Sequence, residues 1–86
     1  MIDQTPSLSP MYRFQWEEAQ GNYVLLYPEG MVKLSHTAGE VLKRVTGNTT
    51  VKQLVSELRK DFPGSDLEND VLNFLTEAKE HGWISF

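Results

Sequence analysis

The chain has 86 residues, 40% of them hydrophobic, which is enough for one small domain with a single core and too little for two. It contains no cysteine, which excludes disulfides, thiolate metal sites and thiol catalysis and fits a reducing compartment. The net charge of −4 disfavours partners that are held through phosphates. No apolar run approaches the ~20 residues of a membrane span, and the N-terminus lacks the pattern of a signal peptide. We therefore predict a cytoplasmic protein with no membrane or nucleic-acid partner.

The first ten residues are rich in serine, threonine and proline. Apart from the initiator methionine, Ile2 and Leu8 are their only sizeable apolar side chains. Nothing in this composition drives the segment to pack. The sequence thus predicts a disordered N-terminal tail over residues 1–10 and a folded domain over residues 11–86.

Three strand-like runs follow. The first alternates, with Tyr12, Phe14 and Trp16 on one face, as in a half-buried strand whose aromatic side chains belong to the core. The second, 23–27, is apolar on both faces and suits a middle strand, which leaves the third run, 31–34, at an edge of the sheet. Between the last two runs, Pro28-Glu29-Gly30 has the composition of a three-residue hairpin loop in which the glycine takes a positive φ.

Three helices are predicted next, because each capping-box spacing is followed by apolar residues at the helical period. The capping pairs are Thr37 with Glu40, Thr50 with Gln53, and Ser65 with Glu68. The apolar positions are Ala38, Val41, Leu42 and Val45; then Val51, Leu54, Val55, Leu58 and Phe62; then Leu67, Val71, Phe74, Leu75 and Ala78. The predicted helix ends are Gly47, Pro63-Gly64 and Gly82. The last four residues are expected to fold back over the core. This order predicts an α+β domain, winged helix-turn-helix-like, with a three-stranded antiparallel meander followed by three helices.

No group of residues has the spacing of a catalytic or metal site. His36 and His81 are far apart in sequence, and neither has a carboxylate at metal-ligand spacing. Ser35 adjoins His36, but neighbouring residues cannot provide the geometry of a nucleophile and its base. We predict that the chain is not an enzyme and that it needs no metal or cofactor.

A helix-turn-helix order also suggests a DNA-binding regulator that reads bases with its third helix. The charges of that helix oppose this hypothesis, since 66–80 carries five acids and one base. Duplex DNA has a charge every ~1.7 Å, so repulsion should dominate.

Several motifs together resemble the PqqD family. They are F-Q-W-E-E-A-Q, then V-L-L-Y-P-E-G-M-V-K-L-S-x-T-A-G-E-V-L, then Gly47, D-V-L-N-F-L and the final G-W, and they span most of the chain from residue 11. The resemblance implies a non-enzymatic peptide chaperone in pyrroloquinoline quinone biosynthesis, similar to the elements that recognise leader peptides of ribosomally made, modified peptides. It also implies two partners: the precursor peptide PqqA and the radical-SAM enzyme PqqE, to which PqqA is presented.

In that family the peptide adds as a strand beside the third strand, in a cleft against the third helix. By position, the implied peptide-binding residues are Gly30, Met31, Val32, Lys33, Leu34, Leu67, Asp70, Val71 and Phe74. The pattern of the residues independently places 31–34 at an open edge, which suits strand addition. A peptide-binding adaptor is therefore the preferred hypothesis, ahead of a winged-helix DNA-binding regulator and a small enzyme. Both a monomer and a strand-exchanged dimer are compatible with this pattern.

Overall fold

The computed structural model describes residues 1–64 and 66–86. In chain order its elements are β1 (Ser7–Leu8), β2 (Arg13–Glu17), β3 (Asn22–Tyr27), β4 (Gly30–Lys33), α1 (His36–Lys43), α2 (Val51–Asp61), α3 (Leu67–Glu80) and β5 (Ile84–Ser85). The predicted α+β order, an antiparallel meander followed by three helices, is confirmed. No helix in the described part of the chain is both long and apolar enough to cross a membrane.

The meander has the order β2-β3-β4, and one of its faces carries the core. On that face Leu25 lies opposite Phe14 on one side and Val32 on the other. Helix α1 packs on β3, whose central residues Val24 and Leu25 are fully buried. The buried core comprises Leu25, Leu34, Ala38, Val41, Leu42, Val45, Val51, Leu54, Val55, Leu58, Val71, Leu75, Ala78 and Ile84. Ile84 belongs to it, which confirms that the C-terminal residues fold back over the core.

Trp16 does not belong to the core, and its assignment there was wrong. Its side chain is 49% exposed. The indole meets the Tyr23 ring edge-on, and its N–H donates to the Glu18 carboxylate at 2.6 Å. Trp16 lies near the end of an outer strand, where neighbours on one side only are available to cover so large a ring.

The hairpin between β3 and β4 is tighter than its composition predicts. Tyr27 pairs with Gly30, so Pro28 and Glu29 alone form the loop. Gly30 belongs to β4 and is not among the glycines with positive φ, which in the described chain are Gly21, Gly47 and Gly82. The predicted left-handed Gly30 is wrong because proline followed by a residue with negative φ can already close a turn.

Helix starts agree with prediction at one of the two positions that the structure describes. The Thr50–Gln53 capping box is present, with bonds of 3.1 and 2.9 Å. The predicted cap Thr37 is wrong, because α1 begins at His36 and the Ser35 hydroxyl accepts the Ala38 N–H at 3.1 Å. Ser65, the third predicted cap, lies outside the described residues.

Helix α1 is also shorter than its apolar stripe predicts. It ends at Lys43, so Val45 is buried just beyond the helix. Gly47 has the expected positive φ of +86°, but it lies in the loop that leads to α2. Val45 therefore has the helical spacing and is buried, although it lies outside the helix.

The N-terminal segment is folded against the domain, so the predicted disordered tail over 1–10 is wrong. Residues 7–8 pair with β5, and Pro6 is fully buried. The carbonyls of Ile2 and Gln4 accept the N–H groups of Lys52 and Val51 at 3.0 and 2.9 Å. The first N–H groups of a helix have no partner within the helix, so this segment completes the start of α2. Backbone groups make these bonds, which is why side-chain composition did not reveal them.

Arg44 joins α1 to α2 through charged hydrogen bonds. Its guanidinium donates to the Glu40 carboxylate at 2.9 Å and to the Asp61 carboxylate at 2.6 Å. The Arg44 hydrogen bond lowers the pKa of Glu40 against the opposing effect of partial burial. A carboxyl whose pKa is lowered by folding stabilises the protein above its usual pKa, and the contribution is lost as the pH falls through the lowered value.

Deleting residues 1–5 should lower the free energy of unfolding by about 1–3 kcal/mol, because two N–H groups of α2 lose their acceptors at ~0.5–1.5 kcal/mol each. Urea denaturation of the full and shortened chains measures the difference. The matched control is Ile2→Ala, which removes a 44% exposed side chain and keeps the carbonyl. Equal stability of the shortened and full chains would show that the segment contributes nothing to folding.

Candidate functional site

The outer edge of β4 exposes backbone groups that no described residue pairs. The Leu34 N–H donates to the Tyr23 carbonyl at 3.2 Å, which makes these two a hydrogen-bonded pair. Because such pairs alternate along an antiparallel ladder, Val32 and Gly30 also direct their backbone groups toward β3. The N–H and C=O groups of Met31 and Lys33 therefore point away from the sheet. This edge can accept one more strand.

The side chains of β4 divide between the two faces of the sheet. Val32 is half-buried and packs against the core, and the following Leu34 is 4% exposed. Met31 and Lys33 lie on the opposite face and are exposed. A strand added at this edge would thus have one face directed toward the helices and the other toward solvent.

A groove of about 190 Å³ lies where the start of α1, the end of α2 and the start of α3 meet. Its lining residues are His36, Thr37, Glu40, Val41, Leu58, Phe62 and Leu67. Apolar cavities of about 150 Å³ can hold a benzene molecule, so this groove is large enough for one aliphatic or aromatic side chain. His36, which lines the groove, is three residues after the end of β4, so the groove begins close to the open edge.

The walls of the groove are arranged so that little charge is left uncompensated. The His36 and Phe62 rings meet edge-on with centroids 6.0 Å apart. Phe62 is 38% exposed, so part of its ring is available to a ligand. Glu40, the acidic residue in the wall, already accepts a hydrogen bond from Arg44. The groove therefore suits an apolar group better than a charged one.

The structure brings some of the predicted peptide-binding residues to this region and not others. Leu67 lines the groove, and Asp70 is exposed one turn further along α3. Val71 is 1% exposed and belongs to the core, as Leu34 does. Phe74 packs half-buried against the core, with its ring centroid 6.5 Å from that of Trp83 near the C-terminus. The edge and the first turn of α3 are thus the accessible parts of the predicted set.

Sequence reasoning missed most of the groove. His36 was considered only as a metal ligand or as a base beside Ser35, Thr37 was assigned to a cap, and Phe62 was assigned to the apolar stripe of its helix. One signal was available: Phe62 is a large apolar residue directly before Pro63-Gly64, at a helix end where burial is harder to achieve. Within residues 1–64 and 66–86, no three histidine, cysteine or acidic side chains are grouped closely enough to hold a metal ion.

Comparison with known proteins agrees with this architecture. Residues 22–84 match the family described as Coenzyme PQQ synthesis protein D (PqqD). A PqqA binding protein of Azotobacter vinelandii is 49% identical over 84 residues, which cover 96% of this chain and 91% of the relative. A PqqA binding protein of Acinetobacter baylyi is 41% identical over 85 residues, which cover 98% of this chain and 86% of the relative.

A solved structure shows the same fold. It is the solution NMR structure of the PqqD truncation of Methylobacterium extorquens PqqCD, described as a functional, stand-alone recognition element for ribosomally synthesized and post-translationally modified peptides. The two chains superpose with a TM-score of 0.82 at 27% identity, covering 100% of this chain and 94% of the other. The family match over most of the chain and the identity to these relatives show that the chain belongs to the PqqD family.

Proposed function

We propose that this chain binds the precursor peptide PqqA by adding it as a strand to the open edge of β4, and presents it to the radical-SAM enzyme PqqE in the biosynthesis of pyrroloquinoline quinone. The observation that carries the proposal is an unpaired strand edge beside an apolar groove, in a chain whose relatives are named PqqA binding proteins. The predicted cytoplasmic location fits a role beside such an enzyme.

Backbone pairing alone would bind a peptide weakly. Met31 and Lys33 offer two outward groups each, so about four hydrogen bonds form at ~0.5–1.5 kcal/mol net apiece. Ordering each peptide residue costs ~1–2 kcal/mol of backbone entropy, which is comparable to that gain. The edge supplies direction and register, and the affinity must come from a further contact.

The groove supplies that contact by burying an apolar side chain of the peptide. Full burial of a side chain such as leucine or phenylalanine contributes about 1.5–3 kcal/mol. Thr37 of α1 and Leu67 of α3 both line the groove, so a side chain that enters it can contact α1 and α3 together. We therefore expect a peptide with an apolar residue in the part that lies at the end of β4.

Charge around the site favours a peptide over a nucleic acid. Glu68 and Asp70 lie in the first turn of α3, beside the groove. Phosphates brought to this surface would meet carboxylates, whereas a peptide held by backbone and apolar contacts needs no cationic surface. The DNA-binding regulator therefore remains the weaker hypothesis.

Presentation to an enzyme accounts for a domain that has no catalytic group of its own. The domain would hold the leader part of the precursor while PqqE acts on the residues to be joined. Holding both in one complex raises the local precursor concentration, which can reach the millimolar range for short flexible connections.

Lys33→Pro should weaken PqqA binding about tenfold, because it removes an N–H that points to the open edge, and a factor of ten corresponds to about 1.4 kcal/mol. Lys33→Ala is the matched control, since it removes the same side chain and keeps the N–H. Calorimetric titration measures both affinities, and circular dichroism checks that both variants fold. Equal affinity of the proline and alanine variants would contradict strand addition at β4.

Thr37→Phe should reduce PqqA affinity at least about tenfold, because the added ring fills a groove that has room for one side chain. Thr76→Phe is the same change at an exposed position on α3, nine residues beyond Leu67 and ~14 Å along the helix. It should bind like the unchanged chain in the same titration. If both variants bind PqqA equally well, the groove takes no part in recognition.

Omitting this chain should slow the PqqE reaction most when PqqA is dilute, because the rate then depends on the locally raised precursor concentration. Raising the PqqA concentration should recover part of the rate. The measurement is the initial rate of cross-link formation by mass spectrometry, with and without the chain, over a series of PqqA concentrations. A full rate at dilute PqqA without the chain would rule out presentation and leave peptide binding untouched.

A further inference from the structure

The open edge of β4 carries a lysine, Lys33, on the face of the sheet that points away from the core. Its side chain is exposed. Among the residues that the structure describes, ion pairs are made by Arg44 and Arg59, and none of them includes Lys33. The residue opposite it on β3 is Val24, which is fully buried and has no charge to offer. The Lys33 ammonium is therefore available to a strand added at this edge.

The charged side chains that share this face with Lys33 lie on the far strand of the meander. The acidic one is Glu17 on β2. It lies two strands from Lys33, so their Cα atoms are at least about 10 Å apart at the usual spacing of ~4.8 Å between strands. The other is Arg13, a second cation. With two cations and one acid, this face of strands β2 to β4 is positive in a chain whose net charge is −4.

A peptide strand paired with β4 would place one of its side chains directly beside Lys33. Every strand pair in the described chain is antiparallel. Because the N–H and C=O of Lys33 point to the open edge, the peptide residue opposite would exchange two hydrogen bonds with it in an antiparallel pair. Directly opposite residues share a face of the sheet, with Cβ atoms about 4.5–5.5 Å apart. An acidic side chain at this peptide position would thus reach the Lys33 ammonium.

The helix side of the same site has the opposite preference. The next peptide residue would lie opposite Val32, which is half-buried and packs against the core. The start of α3 on this side has acidic residues, Glu68 and Asp70, in its first turn. An apolar side chain suits this position, whereas an acidic one would meet like charges. Because a slip of one residue exchanges the two faces of a strand, a shifted peptide would direct its acid toward α3 and its apolar side chain into solvent.

We propose that Lys33 is a specificity-determining residue, which selects an acidic side chain of the precursor peptide and fixes the register in which the peptide pairs with β4. This inference rests on the proposed strand addition at β4. The selected sequence is an acidic residue followed directly by an apolar one, since an antiparallel strand passes Lys33 before Val32. An exposed pair of opposite charges across two strands changes the affinity by up to about fivefold. Its effect on register is larger, because the shifted pairing loses the charge pair and the apolar contact together.

Calorimetric titration of PqqA into variants of Lys33 tests the proposal, with circular dichroism to check that each variant folds. Lys33→Met keeps the aliphatic stem and removes the charge, so it should bind PqqA about two- to fivefold more weakly. Higher salt should reduce this difference, because it screens an exposed charge pair. K33E should bind at least about fivefold more weakly, since the attraction becomes a repulsion. The matched control is K52E, which makes the same charge change at an exposed position at the start of α2 and should bind within about twofold of the unchanged chain.

Exchange of the two charges identifies the peptide residue. Each acidic residue of PqqA is replaced in turn by lysine, and each peptide is titrated with the unchanged chain and with K33E. At one position, the lysine peptide should bind the unchanged chain more weakly than PqqA does, and should bind K33E at least about fivefold more tightly than PqqA does.

Two results would overturn the charge selection: equal PqqA affinity of K33E and K52E, or failure of every lysine peptide to restore binding to K33E. Strand addition itself, tested by Lys33→Pro against Lys33→Ala, would survive either result. If none of the folded chains binds PqqA, this inference and the proposed function are both wrong.

Discussion

The close contact of α1 with β3 at Gly39 determines where the rest of the site can lie. A Cβ at this position would fall 2.9 Å from Cδ2 of Tyr23, closer than Cβ atoms approach their neighbours, and 3.2 Å from Cβ of the same residue, which is a tight contact. Without a side chain there, the helix lies directly on the middle strand. Only Leu34 and Ser35 separate β4 from α1, so this contact also holds the first turn of α1 close to the open edge.

The groove depends on this placement and on the bonds that hold α2 beside it. Arg44 links the end of α1 to Asp61 at the end of α2, and Phe62 follows directly. The third wall, Leu67, comes from the start of α3, which packs on α2. Three helix ends thus meet at the groove, and a different contact positions each of them. The position of β4, in contrast, depends only on its pairing with β3. A peptide on this surface would contact one rigid strand and a pocket assembled from several elements.

The strands, the helices and the open edge could be predicted because they depend on periodicity and local capping. Alternation and helical spacing are properties of neighbouring residues, and the Thr50–Gln53 box is a local contact. The groove depends on which helix ends meet, a long-range arrangement that leaves no pattern in any one segment. The N-terminal segment was mispredicted for a related reason, since its bonds to Val51 and Lys52 come from carbonyls that every residue has. The observed cap, Ser35, lies two residues before the predicted cap, Thr37. Assignments of a helix end commonly differ by this much.

The pairing of β1 with β5 places Ser7 beside Ser85, so residues near the two ends of the chain lie in adjacent strands. The residues before this pair run beside the start of α2, because the carbonyl of Ile2 accepts the Lys52 N–H. A protein fused after Phe86 would follow the strand pair directly, whereas one fused before Met1 would be attached beside α2. A linker that joins the two ends would allow the chain to be opened at an exposed loop such as that around Asn48 with the same topology of contacts.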